Sequence, residues 1–140
     1  MKQVMRPKTV ALTCACAVLF GLAACSSDAG GLARACEPLE PASDLSVLPQ
    51  GISLDEYGTV VRAHERNGFV GAQAVAEGEV NKLYTPLLEL LQDGGYEIVG
   101  EDNEGFEAEI YFTRAANTGS LILRQGECEG ETNITLTYGA

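Results

Sequence analysis

Thr59–Ala76 reads TVVRAHERNGFVGAQAVA. Asn67-Gly68 stands at its centre, between two runs rich in Val and Ala. Asn-Gly favours a two-residue type I′ turn, because both central residues must take a positive φ. Such a turn sets Arg66 opposite Phe69. Side chains alternate along a strand, so Val61, Ala63, Val70, Ala72 and Ala74 share one face. Arg62, His64, Arg66, Phe69 and Gln73 share the other. One apolar face and one polar face describe a hairpin of an antiparallel sheet packed on one side only.

After Glu77-Gly78 the period changes. Val80, Leu83, Tyr84, Leu87 and Leu91 recur at helical spacing, and Gly94-Gly95 ends the pattern. Pro86 falls inside it. Either one helix runs from about residue 79 to 93 with Pro86 within, or Thr85 caps a shorter helix that starts at Pro86; the long helix is favoured. Three hairpins follow. A three-residue loop at Asn103-Glu104-Gly105 places Ile98 opposite Ile110 and Tyr96 opposite Phe112. A four-residue loop over 115–118 sets Phe112 opposite Leu121 and Ile110 opposite Leu123. A longer loop over 126–131 sets Leu123 opposite Ile134 and Leu121 opposite Leu136. Apolar residues then face one another across every strand pair. The same register puts Glu109 opposite Arg124 and Tyr111 opposite Ile122 on the outer face. The order β-β-α-β-β-β-β predicts an α+β fold: a single antiparallel sheet of about six strands with one helix on its inner face, in two layers.

Upstream of the hairpin the composition shifts. Residues 26–50 are rich in Ser, Gly, Ala and Pro, and Pro38, Pro41 and Pro49 oppose a long helix. Residues 1–8 are polar and basic, and 9–22 are mostly apolar. That run is shorter than the ~20 residues of a spanning helix and ends in small residues, as an export signal does. At Leu22-Ala23-Ala24-Cys25 it resembles the lipobox of bacterial lipoprotein precursors. The resemblance implies cleavage between Ala24 and Cys25, a diacylglyceryl group on the Cys25 thiol, and a mature protein anchored by lipid on the extracytoplasmic face of the cell membrane. The layout of lipobox, Pro-rich tether, helix and meander is loosely similar to small bacterial lipoproteins. The chain divides into a signal peptide (1–24), a lipidated cysteine with its tether (25–50) and a small α+β domain (51–140).

The cysteines follow from that division. Cys14 and Cys16 leave with the signal, Cys25 carries lipid, and Cys36 and Cys128 remain as an even pair in an oxidising compartment. A Cys36–Cys128 disulfide is expected. It closes a loop of about 92 residues, worth about 4 kcal/mol in the chain-entropy model. It also leaves about ten residues of free tether, a reach of ~35 Å.

The first 24 residues hold Lys2, Arg6 and Lys8 and no acid, so their removal takes the net charge from −11 to −14. That balance excludes nucleic acid, which needs a basic face. The expected contacts are the membrane, through the lipid on Cys25, and an envelope protein.

No catalytic set stands out. His64 is the sole histidine, which argues against a His-based metal site, and no G-x-S-x-G is present. Glu107 and Glu109 lie on one strand face with Cβ atoms roughly 7 Å apart, a spacing that can serve acid–base hydrolysis, but the expected register gives Glu109 to Arg124. The acidic loops at 102–105 and 127–131 lack calcium-loop spacing. Arg62, His64 and Arg66 form the one local basic cluster, and Val99, Tyr111 and Ile122 interrupt the polar outer face. These six are the candidate partner surface. The expected function is a non-enzymatic binding or interaction module of the cell envelope, without cofactor or metal. The alternatives are an envelope hydrolase using Glu107 and Glu109, or a carrier of a small apolar ligand between sheet and helix.

Overall fold

A computed structural model of the chain describes Cys36 and residues 38–139; the signal segment, the Ala24–Cys25 junction and the first part of the tether lie outside those residues. A 3₁₀ turn at Leu54–Glu56 precedes β1 (Thr59–Arg66), β2 (Phe69–Glu77), α1 (Val80–Asp93), β3 (Glu97–Asn103), β4 (Glu107–Arg114), β5 (Asn117–Gln125) and β6 (Glu131–Gly139). The six strands form one antiparallel sheet in the order β1-β2-β6-β5-β4-β3. With α1 on one face, this is the expected two-layer α+β fold.

The first hairpin turns as expected. Asn67 and Gly68 have φ of 54° and 80°, and Arg66 pairs with Phe69. Val61 departs from expectation. The register slips between Val60 and Arg62, so Val61 is the extra residue of a bulge, and Val60 is buried beside Ala74 in its place. The physical reason is parity. Val60 and Ala63 are three residues apart, and only an inserted residue lets both face the core.

Two of the later hairpins differ from expectation in register. β4 and β5 are joined through Ala115-Ala116, with Ala115 at φ 58°. A two-residue turn in place of the expected four shifts the ladder by two, so Phe112 pairs with Gly119 and Ile110 with Leu121. Gly119 explains the choice. A Cβ there would sit 2.5 Å from Phe112 Cε2 and 2.8 Å from the Thr137 carbonyl oxygen, so glycine leaves the space that the Phe112 ring fills. Across β3 and β4, Ile98 pairs with Phe112 rather than Ile110. A second bulge, at Val99, lies between Ile98 and Gly100. Tyr96 stands just before β3 and meets Phe112 edge-on, with ring centroids 5.2 Å apart. The last hairpin has the expected register, Leu121 with Leu136 and Leu123 with Ile134.

α1 is continuous across Pro86. It lies against β3, β4 and β5. Val80, Leu87 and Leu91 are buried, and Leu83 and Tyr84 are half-buried, the stripe that the spacing predicts. The Tyr84 hydroxyl donates to Glu101 Oε2 at 2.9 Å and ties the helix to edge strand β3. Desolvation, reinforced by that bond, pushes the Tyr84 hydroxyl up to about 12. Phe112, Ile110, Leu121, Leu123, Ile134 and Leu136 are fully enclosed beneath.

The domain reaches back beyond residue 51, into the stretch expected as tether. The Ala42 amide donates to the Val60 carbonyl at 2.7 Å, and Leu45 and Leu48 pack against the core. The Gln50 carbonyl accepts from the Tyr96 hydroxyl at 3.0 Å and from Arg114 Nη1 at 2.7 Å. Prolines here forbid a helix but not an extended segment laid on the sheet. Cys36 and Cys128 lie at disulfide distance, S–S 2.06 Å, with Cα atoms 5.8 Å apart.

Two outcomes test this packing. Gly119→Ala should lower the unfolding free energy by about 2 kcal/mol, since neither a paired backbone nor a buried ring yields cheaply; an unchanged urea midpoint would contradict the ring–glycine contact. Replacing Cys36 and Cys128 together by Ser should cost about 4 kcal/mol through the released loop, measured in the same titration.

Candidate functional site

The two sequence-level groups of candidates meet on one face. β1 turns Arg62, His64 and Arg66 away from the helix, because its bulge reverses parity after Val61. One ladder row of this outer face reads His64, Gly71, Thr137, Ser120, Tyr111, Gly100 from edge to edge. Small residues form its floor, and the larger side chains stand at its two sides. The His64 ring lies over Gly71, whose added Cβ would come within 2.7 Å of Cε1. The Phe69 ring lies over Gly139 in the same way, at 2.5 Å from Cδ1. Each glycine gives an aromatic ring a seat on the sheet.

Phe69 is 50% exposed, Val99 59% and Tyr111 43%; Ile122 is half-buried. Val99 is the bulged residue of β3, outside the regular pairing. Two shallow troughs flank Phe69. One, of about 450 Å³, is lined by Arg62, His64, Arg66, Gln73 and Thr135. The other, of about 310 Å³, is lined by Val99, Tyr111, Thr118 and Ser120. Phe69 and Thr137 line both. Phe69 is the residue that sequence reasoning placed on the right face but left out of the partner surface. Its position after Asn-Gly, as an aromatic at an outward parity, was the available signal.

The charges divide sharply. Arg124 holds Glu107, with Nε 2.6 Å from Oε2 and Nη2 3.2 Å from Oε1. Lys82 reaches Glu79 at 3.6 Å. The Arg114 guanidinium lies over the Tyr96 ring, 5.1 Å from its centroid. Arg62 and Arg66 make no ion pair or side-chain hydrogen bond within the described residues.

The carboxylate pair is arranged differently from expectation. The shifted β4–β5 register gives Arg124 to Glu107, not Glu109, and sets Tyr111 opposite Ser120, not Ile122. The Arg124 hydrogen bond holds the Glu107 carboxyl below its usual range. Glu109 accepts from the Tyr111 hydroxyl at 2.6 Å, a bond that raises the Tyr111 hydroxyl. A general acid needs a raised carboxyl, and Glu107 moves the other way.

In the first acidic loop the oxygens serve the turn. Asn103 Oδ1 accepts from the Gly105 amide at 2.9 Å, and Asp102 Oδ1 from the Asn103 amide at 2.9 Å. Among the described residues, no cluster of three or more His, Cys, Asp or Glu is placed to hold a metal ion. Nor, among them, is any helix long and apolar enough to cross a membrane.

No protein-family model matches the chain, and no curated protein shows significant similarity to it. The reading of the outer face rests on its own geometry: an uncompensated basic edge, exposed aromatics over small residues, and paired acids beyond them.

The Glu107–Arg124 pair has a pH signature. The folded-state pKa of Glu107 is depressed, so its contribution to stability is present above the unfolded glutamate pKa. That contribution is lost as pH falls through the folded value. NMR titration should find Glu107 titrating below ordinary glutamates, and Arg124→Gln should return it to the ordinary range; equal midpoints in both proteins would remove the pair.

Proposed function

We propose that the protein is a lipid-anchored, extracytoplasmic and non-enzymatic binding module of the cell envelope, and that the outer face of its sheet receives the partner. One observation carries the reading. The strand order gathers the Arg62–His64–Arg66 edge, Phe69 and the Val99–Tyr111–Ile122 patch onto a single face. An exposed face joining aromatic rings to uncompensated arginines has the composition of a docking surface, in which aromatics and Arg are enriched. The lipobox-like Leu22-Ala23-Ala24-Cys25 supports the anchor. The Cys36–Cys128 link supports close attachment, since it shortens the free tether to about ten residues, ~35 Å at most.

Against hydrolysis, both carboxylates of the Glu107–Glu109 pair have partners, Arg124 and the Tyr111 hydroxyl. Against an apolar carrier, the side chains between sheet and helix are packed against one another and shut off from solvent.

Mass spectrometry of the protein extracted from membranes should find an N-terminus at Cys25 carrying diacylglyceryl. Chemical cross-linking in those membranes should trap a protein partner on the wild type. A triple variant, Arg62→Ser, Arg66→Ser and Phe69→Ser, should lose that product while keeping its melting temperature. Equal cross-linking by the variant would sink the assignment of this face, and a bare Cys25 would sink the anchor.

A further inference from the structure

The two ends of the outer face's ladder rows carry opposite charges. The row through the first turn runs Arg66, Phe69, Gly139, Thr118, Thr113, Glu97. The row four residues along runs Arg62, Gln73, Thr135, Ile122, Glu109, Asp102. Each begins with an exposed arginine on edge strand β1 and ends with an exposed acid on edge strand β3. Phe69 and Tyr111 stand on β2 and β4, at equal distances from the midline between β6 and β5.

Resting on the docking role of this face, we propose that its partner is a second copy of this chain. The two copies stack outer face to outer face about a twofold axis parallel to the strands. Such an axis exchanges the left and right sides of the sheet and leaves position along the strands unchanged. It lays β1 of one copy over β3 of the other, and β2 over β4. Arg66 then meets Glu97 of the second copy, and Arg62 meets Asp102. Phe69 meets the neighbourhood of Tyr111, one ladder row away. By symmetry every contact is made twice, as an isologous interface requires.

Three further considerations favour this partner. First, the part of the face between the Phe69 and Val75 rows is nearly neutral within an acidic chain, the acidic Glu77–Glu131 row lying beyond it. Over the rows from Phe69 to Val75, Arg62, Arg66 and Arg124 stand against Glu97, Asp102, Glu107 and Glu109. Two copies can therefore approach here without setting acid against acid. Second, six strands at ~4.8 Å spacing and about seven residues of strand give about 600 Å² a side. That is about 1,200 Å² in all, the lower bound of stable specific interfaces. Third, the competing self-contact is opposed. Joining β1 of one copy to β3 of the next, edge to edge, would also pair Arg66 with Glu97. It would have to pass a bulge on each edge, at Val61 and Val99, and bulged, charged edges resist strand addition. It would also leave Phe69 and Tyr111 uncovered.

Native mass spectrometry of the mature protein, released from detergent, tests the arrangement. The wild type should be a discrete dimer. Arg66→Glu and Glu97→Arg should each weaken it by more than about tenfold, because each single change breaks both symmetric contacts. Mixed one to one, the two variants should recover the dimer as a heterodimer, since the two altered charges then meet each other at one contact and the native Arg66–Glu97 pair forms at the other. A monomeric wild type, a dimer indifferent to both changes, or no recovery on mixing would overturn the inference. So would a ladder of larger oligomers, which marks edge pairing. A monomer that still loses a different cross-linked protein in the Arg62, Arg66 and Phe69 triple variant overturns the second copy while leaving the docking face in place. Loss of neither dimer nor cross-link on changing the face overturns both.

Discussion

Phe112 needs a ring-sized space on the inner face, and Gly119 leaves it. This fit sets the β4–β5 register, and much of the outer face follows from that register. With Phe112 opposite Gly119, Tyr111 falls opposite Ser120 and Glu107 opposite Arg124. The buried ring is therefore linked to the charge pattern on the other side of the sheet. A shift by one would carry apolar residues into solvent. A shift by two keeps parity but exchanges which acid meets Arg124. Parity protects the core, while only the ring and its glycine select between registers of equal parity.

The two edge strands each use one extra residue to reach the same end. On β1 the bulge at Val61 lets Val60 and Ala63 both face inward, and it leaves Arg62, His64 and Arg66 outward. On β3 the bulge at Val99 turns Glu101 toward the helix, where Tyr84 holds it, and turns Asp102 outward. Bulges protect sheet edges from unwanted pairing. Here they also decide which charges lie on the outer face. The segment before β1 adds a different constraint: Ala42, Gln50 and the Cys36–Cys128 link hold it to β1, to Tyr96 just before β3 and to the β5–β6 loop.

Period and turn chemistry made most of the architecture legible in the sequence. Asn67-Gly68 announced its turn, the Val80–Leu91 stripe its helix, and the apolar alternation of residues 96–136 its meander. The Ala115-Ala116 turn was not legible, since it requires a positive φ at an alanine and no local residue advertises it. The two bulges were hidden for a related reason: a local pattern shows alternation but not where one residue is skipped. Alternation along β1 puts Arg62, His64 and Arg66 on the outer face, but it reaches them through Val61, where the strand buries Val60 instead. The role of Phe69 depends on Gly139, which reaches it only through the β2–β6 pairing. Long-range neighbours of this kind are set by strand order, and nothing within a short window of sequence encodes them.

A chain with 20 acidic and 9 basic side chains could keep itself soluble by spreading acids over every exposed surface. This one does not. Acids crowd the helix flank and the loop at 127–131, whereas the rows of the outer face from Phe69 to Val75 oppose three arginines to four acids and seat two aromatic rings on glycines. Solubility alone gives no reason to keep Arg62 and Arg66, without partners among the described residues, at the edge of an acidic domain. A contact that places an acid opposite each of them does, and the chain carries such acids at the far ends of the same two ladder rows.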